Sequence, residues 1–285
     1  MQFRRYVNTG VFRPEVLEIL TMHEVQNNLL IGLITDRKSE NTADWLLATV
    51  SDGGGLALTA ICIRSFHLLI YETNNIRNDE AVDLLVKELR KAGWIPPSVM
   101  AESTLARRFA RAFSPDGEYY LHMSLTAMKL DKPAEYIKAP GFYRALEARD
   151  MLFAPYWERA FSEDCRTTVF TIAENTERLK TRLGKGTHFL WEDGLPVSQA
   201  VHGRNTPNGA LINGVYTPPE FRGRGYASSV VAELSNSLLR SGKDFCCLFA
   251  DADNSVSLRL YRKLGYYDVC DLEDIRFNRT CGRSE

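Results

Sequence analysis

Residues 215–228 read Val-Tyr-Thr-Pro-Pro-Glu-Phe-Arg-Gly-Arg-Gly-Tyr-Ala-Ser. An apolar run stops at two prolines, and a basic, glycine-rich turn then leads into a segment with the apolar spacing of a helix. Apolar residues recur there at positions i, i+3, i+4, i+7 and i+11, which are Ala227, Val230, Val231, Leu234 and Leu238. Gly242 follows as a helix stop. The stretch therefore predicts a strand, a turn and an amphipathic helix in succession.

The turn has the composition of an anion-binding site. Arg222, Gly223, Arg224 and Gly225 combine positive charge with residues that let backbone N–H groups approach a ligand closely. The start of the following helix adds unpaired N–H groups and the positive end of the helix dipole. We therefore interpret the turn as a cradle for pyrophosphate.

Other kinds of phosphate loop fit the turn less well. A P-loop is excluded because it ends in Gly-Lys-Ser or Gly-Lys-Thr, which this turn lacks. A dinucleotide fingerprint is weakened because Ser228 stands where a third glycine or an alanine is required, although Asp251 lies near the expected acidic position. An ordinary glycine-rich turn that caps a surface helix is the structural alternative.

The pattern Arg222-x-x-Gly225-x-Ala227 resembles the phosphate-binding motif of the GNAT superfamily, the acyl-CoA-dependent N-acyltransferases. That motif reads Gln or Arg, two residues, Gly, one residue, and Gly or Ala. The resemblance implies a strand that ends at the loop, a helix that begins after it, and acyl-CoA as the ligand.

A second segment strengthens the resemblance. GNAT proteins carry an asparagine, an aromatic hydroxyl seven residues later, and then a glycine with an aromatic residue. This chain has Asn254, Tyr261, Gly265 and Tyr266 at that spacing. Seven residues are two helical turns, so the amide and the phenol share one helix face. The alternative for Tyr261 is a core tyrosine with a satisfied hydroxyl.

The resemblance implies direct attack of an amine on the thioester of acetyl-CoA, without a covalent acyl-enzyme. It assigns protonation of the leaving thiolate to Tyr261, the predicted catalytic residue. It also implies that acetyl-CoA is held by the end of the strand, the loop, the helix start and one amide. The predicted cofactor-binding residues are Val215, Tyr216, Thr217, Arg222, Gly223, Arg224, Gly225, Tyr226, Ala227, Ser228 and Asn254.

The general base stays open. Many GNAT proteins place a carboxylate on the strand before the phosphate loop, but residues 210–217 contain none. The nearby titratable residues that remain as candidates are Glu192, Asp251, Asp253, Glu220 and His202.

The N-terminal half repeats the pattern of the C-terminal half without its chemistry. The matched segments are 45–63 with 187–202, 67–71 with 211–216, 81–93 with 227–242, 99–102 with 247–251, 105–112 with 257–264, and 119–130 with 266–277. The counterpart of the phosphate loop, residues 72–80, is acidic and has no glycine, and the counterpart of Tyr261 is Phe109. We therefore predict a degenerate first module, with chance similarity of two α/β series as the alternative.

The predicted fold class is α/β (α+β), with two GNAT-like modules that are each a mixed, mostly antiparallel sheet flanked by helices. Residues 1–130 are expected to form a module without a cofactor site, 131–140 a linker, and 141–285 the catalytic domain.

Composition limits the other classes of function. The 285 residues contain 35 Lys and Arg against 36 Asp and Glu, so no basic field points to nucleic acid or to an anionic membrane. The apolar run at residues 29–34 is too short to span a bilayer, and a cytoplasmic location is the default expectation. The six cysteines show no metal-ligand spacing, so free thiols and no metal are expected.

The predicted function is transfer of an acetyl group from acetyl-CoA to a primary amine on a small molecule or a peptide. The alternative is a CoA-binding sensor or regulatory protein without acyl transfer. The acceptor and the oligomeric state are left open.

Overall fold

The computed structural model describes residues 1–36 and 44–278. The chain divides into two compact units. Unit 1 contains Met1–Ala127 and the described residues from Val269 onward, and unit 2 contains Met128–Asp268.

The elements have the following bounds. The strands are β1 (Gln2–Arg5), β2 (Trp45–Asp52), β3 (Gly55–Ile63), β4 (Leu68–Glu72), β5 (Ser98–Glu102), β6 (Tyr119–Leu130), β7 (Phe142–Ala145), β8 (His188–Asp193), β9 (Leu195–Asn205), β10 (Gly209–Tyr216), β11 (Phe245–Asp251) and β12 (Tyr267–Phe277). The α-helices are α1 (Thr9–Met22), α2 (Asn28–Asp36), α3 (Asp79–Lys91), α4 (Ser103–Phe113), α5 (Ala154–Asp164), α6 (Ile172–Lys180), α7 (Tyr226–Arg240) and α8 (Ser255–Lys263).

In unit 1 the strands follow the order β1-β2-β3-β4-β5-β12-β6. Neighbours from β1 to β4 pair antiparallel, β4 and β5 pair in parallel, and β12 pairs antiparallel with β5. The strand β12 therefore lies inside the sheet of unit 1, between β5 and β6.

The core of unit 1 follows from the apolar periodicity of its helices. In α3, five apolar residues at helical spacing are all buried, namely Ala81, Val82, Leu85, Val86 and Leu89. They pack with the strands of the sheet and with Phe109 of α4, which is fully buried. Phe109 contacts the rings of Phe113 and Phe277.

In unit 2 the strand order is β11-β10-β9-β8-β7. The neighbours from β7 to β10 pair antiparallel, and β10 pairs in parallel with β11. The end of β6 also belongs to this unit, because Met128 and Leu130 lie in its core.

Helix α7 covers one face of this sheet. Val230, Val231, Leu234 and Leu238 are buried, as their spacing predicts. Residues 131–140, the predicted linker, run along the same helix: the N–H groups of Ala134 and Ala139 donate to the side chains of Asn236 (2.7 Å) and Ser229 (2.9 Å).

The predicted fold class is confirmed, with a mostly antiparallel sheet and flanking helices in each unit. The compact units do not follow the predicted modules 1–130 and 141–285, because β12 from Val269 onward belongs to unit 1. Those module boundaries stay a prediction about the repeated sequence.

Two further expectations concern membranes and thiols. Within residues 1–36 and 44–278, none of the helices combines the length and the apolar character that crossing a membrane requires. The cysteines in those ranges are free, namely Cys62, Cys165, Cys246, Cys247 and Cys270. Cys281 lies outside the described residues.

Candidate active site

The candidate site lies where β10 and β11 separate. The two strands pair only between Gly209–Leu211 and Phe245–Cys247, although each continues beyond these residues. The carboxyl ends of two neighbouring parallel strands are therefore free to accommodate a ligand, which is the usual position of sites in such sheets.

A bulge shapes the end of β10. Its register against β9 shifts between Asn213 and Tyr216. Gly214 lies in this irregular stretch with φ of +59°, and a Cβ there would come within 2.8 Å of Val201 Cγ2. The backbone conformation and the close approach both require glycine, so the bulge is a built-in feature of the strand.

The predicted cradle follows β10 through a short 3₁₀ turn at Pro219–Phe221. Gly223 and Gly225 have φ of +78° and +83°. A Cβ on Gly223 would meet no atom within 4 Å, and one on Gly225 would lie 3.7 Å from Ala139 Cβ. Gly225 is the N-cap of α7 and offers no side-chain acceptor. In the described part of the chain, no acceptor bonds to the N–H groups of residues 223–228. These donors point to an anion as their partner.

The two arginines of the loop have different surroundings. The Arg222 guanidinium donates to the carbonyl oxygen of Thr217 (2.9 Å) and pairs with Asp164 (2.7 Å) at the end of α5. Arg224 is exposed. Arg222 is therefore already paired with a carboxylate of the protein itself.

Tyr226 contributes differently from its neighbours. Its side chain is buried, and its hydroxyl donates to Asp193 Oδ2 in the hairpin between β8 and β9 (2.6 Å). The predicted role in cofactor binding is therefore limited to its backbone, while Ala227 and Ser228 continue the partly exposed first turn of α7.

The end of β10 brings Tyr216 and Thr217 beside the hydroxyl of Ser198. Ser198 Oγ lies 3.2 Å from the carbonyl oxygen of Tyr216 and 2.8 Å from Thr217 Oγ1. The Tyr216 ring packs against Trp157 of α5, with 6.0 Å between ring centroids. Val215, between the bulge and Tyr216, is partly buried.

Tyr261 lies on α8 and is 9% exposed. Its ring packs edge-on against Tyr266 at 6.0 Å, and its hydroxyl has no hydrogen-bond partner in the described part of the chain. Burial, together with the nearby Cys165, raises the pKa of Tyr261 above its usual range. The phenol thus keeps its proton at neutral pH and has no competing acceptor.

Asn254 is the N-cap of α8. Its Oδ1 accepts from the N–H of Ser257 (3.0 Å), and the residue is exposed. The amide nitrogen is the part of this side chain that could meet a ligand.

The end of α5 supplies three residues that sequence reasoning missed: Asp164, Cys165 and Arg166. Asp164 holds Arg222, and Arg166, with φ of +53°, pairs with Asp251 at the end of β11 (2.7 Å). Burial raises the pKa of the Cys165 thiol to about 11. The two ion pairs join residues 58 and 85 positions apart in sequence, so no local pattern links them.

The candidate bases are mostly engaged elsewhere. They are Glu192, Asp251, Asp253, Glu220 and His202. Glu192 pairs with Arg144 and Arg149, and Arg166 pairs with Asp251. Burial lowers the pKa of His202, which bonds to Asn205 (3.0 Å). Asp253 and Glu220 are exposed. The assignment of a base among them stays a prediction.

Known proteins match this architecture. The family model described as "FR47-like protein" matches residues 193–273. A GCN5-related N-acetyltransferase from Sphaerobacter thermophilus has a TM-score of 0.66 at 18% identity, over 96% of this chain and 95% of that one. A GNAT-family acetyltransferase from Colwellia psychrerythraea has a TM-score of 0.60 at 10% identity, over 98% and 100%.

A third structure is a tandem GNAT protein from the clavulanic acid biosynthesis pathway, with a TM-score of 0.55 at 13% identity over 96% of this chain and 97% of that one. No curated protein matches the chain. The similarities cover nearly the whole chain, so the predicted resemblance to a tandem GNAT form is confirmed at the level of the fold.

Proposed function

Since the chain has the tandem GNAT fold, we propose that it is an acyl-CoA-dependent N-acyltransferase that transfers an acetyl group from acetyl-CoA to a primary amine. The acceptor amine belongs to a small molecule or a peptide. Unit 2 carries the active site.

The observation that carries this proposal is the uncapped start of α7. The N–H groups of residues 223–228 lack acceptors within the described ranges, and the two glycines in left-handed conformation, Gly223 and Gly225, carry no side chain that would obstruct a ligand. A pyrophosphate would satisfy these donors and the helix dipole together. The residues present therefore fit the phosphates of CoA.

The remaining site residues would orient the thioester and donate a proton to the leaving group. Acetyl-CoA, when bound, supplies an activated acetyl group and a thiolate leaving group. Backbone groups of Val215, Tyr216 and Thr217 would orient the thioester and the pantetheine amides at the gap between β10 and β11. Tyr261 would donate its proton to the leaving sulfur, because a phenol is protonated at neutral pH and none of the described acceptors binds this hydroxyl.

The test combines binding with turnover. Calorimetry with acetyl-CoA is expected to give one site per chain, and a thiol-release assay is expected to detect CoA in the presence of primary amines, polyamines, amino acids or peptide N-termini. Absence of acetyl-CoA binding by the wild-type protein would contradict the proposal.

Binding without thiol release for any amine would instead support the CoA-binding sensor. An increase of NADH fluorescence on mixing would favour the dinucleotide interpretation of the loop. Each outcome therefore selects one of the candidate functions.

A further inference from the structure

A chain of buried polar side chains crosses unit 2 beneath α5. His188 Nε2 lies 3.2 Å from Gln199 Oε1, and Gln199 Nε2 lies 3.2 Å from Glu158 Oε1 and 3.3 Å from the carbonyl oxygen of Gly214. His188 and Gln199 are essentially inaccessible to solvent. The polar chain thus links β8 and β9 to the bulge of β10 and to a carboxylate on α5.

The acceptors in this polar chain assign its protons. The Glu158 carboxylate and the Gly214 carbonyl can only accept, so both bonds must be donated by the Gln199 amide nitrogen. Gln199 Oε1 therefore accepts, and the proton of the imidazole must be on His188 Nε2. Burial lowers the pKa of His188, which keeps the ring neutral. The hydrogen bonds therefore run in one direction, from His188 through Gln199 to Glu158.

Glu158 itself stands at the edge of the buried region. Its side chain is 14% exposed, and its second oxygen pairs with Arg182 (3.1 Å). A carboxylate offers about four lone-pair positions, of which the described residues of the chain use two. The preceding residue, Trp157, packs on Tyr216 of β10. A mostly buried carboxylate with free acceptor capacity therefore lies beside the strand proposed to orient the thioester.

We propose that Glu158 binds the acceptor amine as an ammonium ion and that Gln199 positions its carboxylate next to the bulge of β10. This rests on the function proposed above. Charge and hydrogen bonding both favour the assignment. An ammonium ion is positively charged and can only donate hydrogen bonds, whereas the remaining lone pairs of the Glu158 carboxylate can only accept them. Glu158 would then select acceptors that are protonated in solution, and the bound ammonium must release one proton to the solvent before its nitrogen can attack the thioester.

The decisive variant is Glu158→Gln, which keeps the shape and removes the charge. Its control is Glu163→Gln, because Glu163 is an exposed glutamate on the same helix, paired with Arg159. Thiol release is measured with phenethylamine and putrescine, which are protonated at neutral pH, and with aniline and hydroxylamine, which are not. Acetyl-CoA affinity is measured by calorimetry for each protein.

For Glu158→Gln, KM for the protonated amines is expected to rise about 10- to 100-fold, the worth of one charged hydrogen bond. Acetyl-CoA affinity and the rate with neutral nucleophiles are expected to stay within about 2-fold, since neither needs the carboxylate. Glu163→Gln is expected to behave as the wild type.

The variant Arg182→Met distinguishes a role of Glu158 in binding the amine from a purely structural role of its ion pair. It leaves the carboxylate and removes its partner, so KM for protonated amines is expected to stay the same or fall. If Arg182→Met raises KM as much as Glu158→Gln does, the pair is structural and the assignment is wrong. The assignment is also wrong if Glu158→Gln affects both kinds of nucleophile equally, or if the wild type binds acetyl-CoA but uses no protonated amine. Loss of acetyl-CoA binding in the wild type would instead remove the proposed function itself.

Discussion

Helices α3 and α7 each follow a loop after a strand that pairs in parallel with the next one, but their first turns are satisfied in opposite ways. Before α3, the side chain of Asn78 accepts from the N–H of Ala81 (3.0 Å), and Glu72 Oε1 accepts from the N–H of Asn78 (2.6 Å). Arg108 pairs with both Glu72 and Asp79.

Before α7, the corresponding loop has no acidic residue between Arg222 and Ser228, and Gly225 occupies the N-cap without a side-chain bond. Unit 1 thus supplies its own anions to the loop and helix start, whereas the described residues of unit 2 leave the corresponding donors without an acceptor. The comparison teaches that the position of the carboxylates decides whether the same element order gives an internally satisfied helix start or an unsatisfied one, and the proposed function needs the second kind.

The largest expected effect concerns the open cradle. Gly225→Asp would place a carboxylate at the N-cap of α7, where unit 1 has the side-chain acceptor Asn78 at the N-cap of α3. Acetyl-CoA binding measured by calorimetry is expected to weaken by more than about 100-fold, because charge repulsion replaces at least one charged hydrogen bond.

Gly242→Asp is the matched control, since Gly242 has a similar φ of +94° and lies at the opposite end of α7 with open space around it. This variant introduces similar backbone strain at a position far from the cradle, so its affinity for acetyl-CoA is expected to equal that of the wild type. Equal affinity of both variants would show that the cradle does not bind the phosphates.

The second prediction replaces Tyr261 of α8 by phenylalanine, the residue type that unit 1 has at the matched position of α4, Phe109. Tyr261→Phe is expected to lower kcat about 10²- to 10⁴-fold, the usual worth of a positioned general acid, while acetyl-CoA affinity is unchanged. The control is Tyr266→Phe, whose hydroxyl bonds to Ser235 (2.8 Å). That variant is expected to cost about 1 kcal/mol of stability without a change in kcat. Full turnover of Tyr261→Phe would make Tyr261 a structural residue.

The third prediction tests the loop before α3 in unit 1, where Arg108 pairs with Glu72 and Asp79. Arg108→Met leaves the buried carboxylate of Glu72 without its cation and is expected to lower the free energy of unfolding by about 3–5 kcal/mol. Urea unfolding measures this change. The control is Arg111→Met on the same helix, which is exposed and is expected to change stability by about 0.5 kcal/mol or less. A change of acetyl-CoA stoichiometry in Arg108→Met would contradict the assignment of unit 1 as a module without a cofactor site.

The smallest effect concerns the ion pair that holds Arg222. Asp164→Asn frees the guanidinium, so acetyl-CoA is expected to bind about 2- to 5-fold more tightly, in keeping with the worth of an exposed pair. Glu163→Gln, the neighbouring exposed glutamate, is expected to leave the affinity unchanged. Weaker binding in Asp164→Asn would mean that Asp164 positions Arg222 for the phosphates instead of competing with them.

Local patterns account for the features of unit 2 that the sequence predicts correctly. The apolar spacing from Val230 to Leu238 predicts a helix with one buried face, and the structure buries that face. Asn254 and Gly265 predict the ends of α8, where Asn254 is indeed the N-cap. These features depend on interactions within a few residues, which a sequence displays directly.

Strand partners and polar partners could not be predicted in this way. The sequence pattern assigns residues 267–277 to the second module, whereas the structure pairs this strand with β5 of unit 1. The sequence did carry a signal for the polar chain, because Gln199 is a long polar residue between the small residues Ser198 and Ala200 of a strand. It did not reveal that the partner of Gln199 would be Glu158, which lies 41 residues away.

The sequence by itself determined the basic, glycine-rich start of α7, the phenol on α8 and the acidic counterpart of the cradle in the first half. Each depends on residue type and spacing along one loop or helix. Only the tertiary structure decided that Asp164 holds Arg222, that β12 belongs to unit 1, and that Glu158 shares Gln199 with the bulge of β10. Such contacts join side chains that are distant in sequence, and the packing of helices on the sheet selects among many pairings that local propensity leaves equal.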